Sequence, residues 1–269
     1  MKDIFRYKDL IYELAFRDLK VRYRKPFLGF LWMFIIPFST AIIYKVLFYD
    51  FFHVTSGKYP FFIHLITAIL PWNYFASSIQ GSTRSILDSK NIIKQISFPK
   101  YLLPVSTVFA NLINFLPTLL VLLGFLVVFN IKISFWIVFL PIVILFQTFL
   151  IIGLSFLTAG LQVIYRDVEY IIQVLLTVLF FLTPGVYTIN EFIDKSNPFI
   201  VRIYLLNPLV GILNLYRISF IGDYLEDLPK EANFLNTLVN PIVWALAILS
   251  IGYFVFKKCE RRFSDYINL

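Results

Sequence analysis

Long apolar runs of membrane-crossing length, separated by short segments that hold most of the basic residues, constrain this chain more than any other feature. A helix needs roughly 20 apolar residues to cross hydrocarbon. Six runs qualify or come close, at about 30–52, 61–80, 102–129, 135–162, 171–187 and 241–256, the last two being short. With 59% hydrophobic and 15% charged residues, the 269 residues exceed what one soluble core can use. The expected fold class is all-α integral membrane with six transmembrane helices.

Orientation follows from the basic residues, which gather on the cytoplasmic side of short loops. Seventeen of the 24 Lys and Arg lie in 1–29, 82–104, 163–170 and 257–269. Both termini are therefore expected in the cytoplasm, and the net charge of +8 belongs almost wholly to the inner face. Basic charge used for topology and anionic headgroups gives no support for nucleic-acid binding. Residues 1–29 do not read as a cleavable signal peptide, because Asp3, Asp9, Glu13 and Asp18 are mixed with the bases. The sole cysteine, Cys259, rules out an intrachain disulfide and falls in the expected tail at 257–269.

Positions 4–25 read as a helix lying on the membrane. Arg6, Asp9, Glu13, Arg17, Lys20 and Arg24 recur every three or four residues opposite Ile4, Tyr7, Ile11 and Leu14, and Pro26 ends the pattern. It serves either as a generic anchor or as a helix that also touches a cytoplasmic partner. The loop at 85–104 holds a short helix, Asp88 to Ile96, closed by Pro99 and Pro104. Lys90, Lys94 and Lys100 beside Ile92, Ile93 and Ile96 suit docking on a soluble protein, with headgroup contact as the alternative. The stretch 199–220 is apolar yet carries Arg202, Asn207, Asn214 and Arg217, as a lid dipping into the outer leaflet or a packed external loop would.

Chemistry is sparse. The runs contain no Asp or Glu apart from Asp50, which disfavours an ion-coupled mechanism. His53 and His64 have no ligand-spaced partners and read as structural. No P-loop sequence occurs, so ATP-driven work needs a separate ATPase. Lys45, inside the first run, snorkels to the outer interface or meets an anionic substrate. Aromatic residues are abundant, notably Trp72, Tyr74, Phe75, Phe180, Phe181 and Tyr187, and rings suit a conduit for a long neutral polymer as well as they suit lipid.

Seven segments together resemble one family. They are RDLKVRYRKPFLGFLW at 17–32, ILPWNYF at 69–75, NIIKQISFPKYLLP at 91–104, YRDVEYII at 165–172, FFLTPGVYT at 180–188, LNPL at 206–209 and ERRFSDYI at 260–267. The chain is similar to permease subunits of ABC-2 type polysaccharide exporters, and closer to the O-antigen and teichoic acid permeases than to the capsule permeases. The resemblance implies a 1–28 interface helix using Arg17, Asp18, Lys20, Arg22 and Arg24, a 29–256 transmembrane domain and a 257–269 cytoplasmic tail. It implies a coupling helix seated in the ATPase through Asp88, Ser89, Lys90, Asn91, Ile92, Lys94 and Phe98, with Arg166 and Asp167 beside it. It implies re-entrant gate helices between the fifth and sixth spans. Conduit or gate rings would be Tyr44, Trp72, Tyr74, Phe75, Phe180, Phe181, Tyr187 and Tyr204. It further implies a homodimer in the bacterial inner membrane, two copies of an ATPase subunit that carries Mg-ATP, and a lipid-linked polysaccharide as cargo. Two rivals are an ABC-2 permease for a small hydrophobic drug or lipid, and a multi-pass glycan-processing enzyme drawing on Asp50, His53, Glu191 and Asp194.

Overall fold

Where hydrocarbon replaces water, a backbone that satisfies its own polar groups within one segment must be helical, and the apolar runs fold accordingly. The computed structural model describes residues 7–22, 29–54, 58–232, 234–263 and 266. Helix α1, Lys8–Arg22, precedes a first crossing made of a 3-10 turn, α2 (Trp32–Tyr44) and a π-helical turn (Lys45–Phe51). Then come α3 (Phe61–Asp88), the short α4 (Lys90–Gln95), α5 (Leu102–Val128) and α6 (Leu140–Ile164), the last entered through a 3-10 turn, Phe135–Phe139. After α7 (Val168–Phe181) lie α8 (Ile189–Lys195), α9 (Pro198–Leu205) and α10 (Pro208–Phe220), and α11 (Phe234–Glu260) closes the fold. Among the described residues, five helices are long and apolar enough to cross a membrane, or six if α9 and α10, bent by 77° at their junction, count as one.

Several expected boundaries shift for identifiable reasons. The fifth run, expected at 171–187, is helical only over Val168–Phe181. Fourteen residues rise about 21 Å, short of the roughly 30 Å hydrocarbon. Pro184 lies in the turn that follows. The last helix starts at Phe234, with Pro241 inside it, and runs to Glu260. Cys259 is accordingly buried in that helix rather than placed in a free tail. Pro104 does not close the 88–96 loop but sits in the first turn of α5, where its missing N–H costs nothing. Pro198 and Pro208 likewise open α9 and α10, each behind an asparagine that caps the helix: Asn197 Oδ1 accepts from Phe199 N and Asn207 Oδ1 from Leu209 N, both at 3.0 Å.

Two cores hold the helices together. The larger joins α3, α5, α6 and α10 through Leu65, Ile66, Ile69, Leu122, Ile151, Tyr216 and Phe220. The smaller ties one end of the molecule, gathering Ile11 and Leu14 of α1, Ile86 of α3, Leu102 of α5, Phe156 of α6, and Phe256 and Phe263 of the C-terminal segment. That end also carries the basic segments and is called the basic end below. Helices α6 and α11 touch backbone to backbone. A Cβ on Gly153 would lie 2.6 Å from the Ile248 and Leu249 main chain. Between helices in lipid, such small-residue contact supplies the packing that hydrophobicity cannot.

Candidate functional site

The basic end gathers the residues expected to dock a partner. In α1, Ile11, Leu14 and Ala15 are buried while Asp9, Glu13, Arg17 and Lys20 are exposed, as the periodicity predicts. Arg17 reaches Asp18 at 3.2 Å, and Asp18 accepts from the Thr107 hydroxyl at 3.5 Å. Ile4, Arg6, Arg24 and Pro26 lie outside the described residues, as does the Arg22 side chain. Asp88 is the last residue of α3, and Ser89 alone separates it from α4. The short helix is therefore Lys90–Gln95 and not Asp88–Ile96. It turns Ile92 and Ile93 inward with Phe98 against the smaller core. Asn91, Lys94, Gln95 and Ile96 face outward, Lys90 lies between, and Ser89 is buried. Only Ile96 of the three isoleucines is available to a partner.

Arg166 and Asp167 are exposed at the α6–α7 turn. That turn is tied to α3 by residues the sequence reading did not single out. Arg84 bridges to Glu169 at 2.9 Å and lies 3.8 Å from Asp88. Gln162 fixes the turn itself, accepting from Glu169 N at 2.8 Å and donating to Arg166 O at 3.0 Å. Any push on α4 or on Arg166 thus reaches both α3 and α7.

At membrane depth the exposed residues of α3 form one stripe. Ser77, Gln80, Arg84 and Asp88 are exposed, Asn73 is half-buried in line with them, and the spacing of three or four places all five on one face. A helix facing lipid would put leucines there. The stripe is uncharged from Asn73 to Gln80 and charged only at the basic end.

The eight expected rings divide into groups. Trp72 meets Phe75 at 5.5 Å and Phe180 at 5.3 Å, while Phe180 meets Tyr44 at 5.6 Å and Phe181 at 5.3 Å. Trp72, Phe75 and Phe180 are buried within the subunit, whereas Phe181 is 52% exposed and Tyr44 half-buried. Tyr187 and Tyr204 gather around Phe192. Tyr74 stands apart, stacked on Phe115 at 4.9 Å and hydrogen-bonded to Thr148 at 2.9 Å.

Near the other end lies a polar knot built on α10, which is buried from Leu209 to Phe220. Arg217 is fully buried, and its Nη2 donates to Pro184 O (2.5 Å), His64 O (3.2 Å) and Gly185 O (3.4 Å). No carboxylate pairs with it among the described residues, and its Nε and Nη1 have no hydrogen-bond partner there. The neighbouring His64 Nε2 lies 3.2 Å from Tyr187 O. Gln147 of α6 donates to Pro71 O at 2.8 Å and accepts from the Tyr216 hydroxyl at 2.5 Å. Asn214 takes the Tyr224 hydroxyl at 3.5 Å, and Asn207 reaches Leu182 O at 3.5 Å. Arg202, by contrast, is exposed.

Acidic loops cover that end. Lys58 pairs with Asp227 at 2.5 Å and Lys132 with Asp223 at 2.9 Å. Hydrogen bonding to those carboxylates raises both ammonium pKa values. The α5–α6 turn grips the exit of α10 through Gly222 N to Lys132 O at 2.6 Å. A Cβ at Gly222 would lie 2.8 Å from that same oxygen. Lys45 lies 3.4 Å from Asp50, which neutralises it within the π turn. Of the residues an enzyme reading would need, Asp50 is held this way, and Glu191 accepts from Lys195 at 2.6 Å. No group of three His, Cys, Asp or Glu able to hold a metal occurs among the described residues.

Comparison with known proteins identifies the family. The family model described as ABC-2 type transporter matches residues 9–221. The O-antigen export system permease protein RfbA of Myxococcus xanthus is 32% identical over 267 residues, covering 99% of this chain and 98% of the relative. An RfbA permease of Klebsiella pneumoniae is 28% identical over 260 residues, covering 96% and 95%.

Proposed function

This chain belongs to the ABC-2 type transporter family, and from that premise we propose that it forms the membrane conduit of an exporter for lipid-linked polysaccharide, with O-antigen as the cargo. It is a multi-pass permease subunit and not an enzyme, and ATP is hydrolysed on a partner subunit. The observation that carries the conduit is the α3 stripe. Amides and hydroxyls turned outward at membrane depth cost several kcal/mol against hydrocarbon, so they face a polar path. A second copy related by a two-fold axis would enclose that path, which supports a homodimer. The uncharged middle of the stripe suits a chain of neutral sugars, where a hydrophobic drug would want an apolar wall.

In this reading the basic end is cytoplasmic, as the distribution of Lys and Arg requires, and the membrane is the bacterial inner membrane. Two ATPase copies sit under the outward face of α4, formed by Asn91, Lys94 and Ile96 with Lys90 and the turn at Arg166 and Asp167, while the buried Ser89 stands behind it. Their closure moves α3 and α7 together through Arg84 and Glu169. At the opposite face, the bent pair α9–α10 is the gate. Arg217 is the latch that holds it to the turn after α7, and the partly exposed rings of Tyr44, Phe181 and Tyr187 border the opening.

Co-purification tests the docking surface. Lys94→Asp and Ile96→Asp should each cut recovery of the ATPase with the permease by roughly tenfold, the size of a lost interface anchor. Ile92→Asp would instead damage the smaller core. Undiminished recovery with both outward variants would move the docking site elsewhere.

A further inference from the structure

We infer that a cleft at the end opposite the basic one, between α8 and the loop that follows α10, binds sugar units of the exported chain as they leave the gate. The inference rests on the polysaccharide reading above and deepens it. The cleft has a volume of about 460 Å³, and its wall on α8 begins at Thr188, the residue after Tyr187. This volume falls within the roughly 300–1,000 Å³ of small-molecule sites. Tyr59 and Tyr224 line it, with ring centroids 6.0 Å apart and planes tilted by 40°. Glu191 and Asp194 line it from α8, and Asp227 and Leu228 from the loop.

Glu191 is not put to the structural use that its local sequence predicts. Thr188 and Glu191 have the spacing of a capping box, in which the hydroxyl accepts from the N–H three residues on and the carboxylate reaches back to the first N–H. Only the first half forms, with Thr188 Oγ1 accepting from Glu191 N at 3.2 Å. The carboxylate turns elsewhere. Its Oε1 accepts from Lys195 at 2.6 Å, and its Oε2 is enclosed with no partner among the described residues. An enclosed acceptor without a donor is costly to keep, so a ligand that brings O–H groups to this wall is favoured. Asp194, exposed and three residues further on, adds a second carboxylate to the same wall.

A sugar matches this lining. Its hydroxyls donate to carboxylates in charge-assisted bonds, while its C–H face can lie on the Tyr59 or Tyr224 ring. A metal ion does not match, because no three His, Cys, Asp or Glu are grouped to hold one among the described residues. The two lysines of the cleft pair with carboxylates of its walls, Lys58 with Asp227 and Lys195 with Glu191. Both signs of charge in one cleft disfavour a strongly charged chain of either sign. Asn190 Nδ2 donates to Asp227 O at 2.8 Å and so ties α8 to the loop, which holds the two walls together. Water competes for every contact at this end and keeps each one weak. The cleft therefore holds an emerging unit and lets it go, opposing back-slip without stopping export. Glu191 and Asp194, the carboxylates an enzyme would call on, gain a use without bond chemistry.

The test places a photo-crosslinking amino acid at Leu228, half-buried on the cleft wall, and separately at Phe135, which is 84% exposed on the α5–α6 turn, in polymer-producing cells that carry the whole transporter. After irradiation, adducts on the purified chain are stained with periodate for glycan. Glycan captured at Leu228 and not at Phe135 is the expected result. No glycan at Leu228, where deleting the gene abolishes surface polymer, overturns the cleft alone, and so does equal capture at the two positions. In parallel, Glu191→Ala with Asp194→Ala should lower capture at Leu228 roughly tenfold, the worth of one charge-assisted hydrogen bond, at unchanged levels of permease and bound ATPase. Undiminished capture in that variant likewise overturns the cleft. Surface polymer unaffected by the deletion overturns the polysaccharide reading itself. Should the double variant fail to reach the membrane, capture at Leu228 with both carboxylates in place decides.

Discussion

Two polar regions cross the hydrocarbon depth of this permease, and they are built on opposite plans. The knot around Arg217 is charged and buried, and Nη2 of its guanidinium is held by backbone carbonyls of the turn after α7 and of α3. The stripe on α3 is uncharged over most of its length, outward-facing and open to whatever lies beside the subunit. Buried polar groups are expensive to leave unmade, so the first arrangement fixes structure. Polar groups left exposed at the same depth contribute nothing to the fold and only become favourable once something polar passes them. The contrast implies that substitutions in the knot should act on stability first, and those in the stripe on transport alone.

The largest break in that comparison comes from Arg217→Leu. It removes a cation whose hydrogen bonds hold α10 to two other elements and leaves buried carbonyls unpaired, at a cost of about 3 kcal/mol. The variant should denature at lower temperature in detergent and lose export. Arg217→Lys should recover only part of this, because a single ammonium cannot reproduce the spread of a guanidinium. If Arg217→Leu left thermal denaturation unchanged, the knot would not be structural. Next in size is Gln147→Leu, which unpairs Pro71 O and the Tyr216 hydroxyl. Hydrogen bonds between helices in membranes are worth less than their burial suggests, so about 1 kcal/mol is expected in the same assay.

The stripe should answer differently. Ser77→Leu and Gln80→Leu put leucine where lipid or water would accept it, so stability should stay within about 0.5 kcal/mol. Export of surface polymer should fall while ATPase binding persists. A stable variant with full export would show that the stripe faces inert lipid, and the conduit would then have to be sought along the rings of Tyr44, Phe180 and Phe181.

These two regions also mark what the sequence could and could not say. The amphipathic α1 was legible because its core side and its solvent side differ in residue type, and Ile11 and Leu14 are buried as their spacing requires. The stretch 199–220 stood open between a lid and a packed external loop, because the Asn-Pro pairs that prove to be cap and first helical residue went unread as helix starts. The α3 stripe was present in the sequence at helical spacing, but a search for carboxylates and rings passes over neutral amides and hydroxyls. The Arg217 cage was not legible at all. Its acceptors are main-chain oxygens of Pro184, Gly185 and His64, which every residue type supplies and no pattern announces. The inward turn of Ile92 and Ile93 depended on the smaller core assembled from five other elements, so local periodicity in a six-residue helix could not reveal it.

The smallest effect should come from the acidic loops over the knot. Lys58 gains an Asp227 carboxylate on folding, and that hydrogen bond raises its pKa above the ordinary 10.5. A raised lysine contributes stability that is fully present below the unfolded value and is lost only as pH climbs through the folded one. Between about pH 6 and 9, the pair should therefore add no pH dependence to thermal denaturation. The lysine is fully exposed, so Lys58→Met should change stability scarcely at all. The Tyr59 hydroxyl shares its one hydrogen between the same carboxylate, at 3.3 Å, and Gly222 O, at 3.0 Å, beside the exit of α10. Burial and Asp227 both raise its phenol pKa, so it stays a donor throughout this range. Loss of both contacts in Asp227→Ala should loosen the cap more than Lys58→Met does, seen as faster amide exchange around Gly222. Equal exchange in the two variants would mean that the loops cover the knot without holding it.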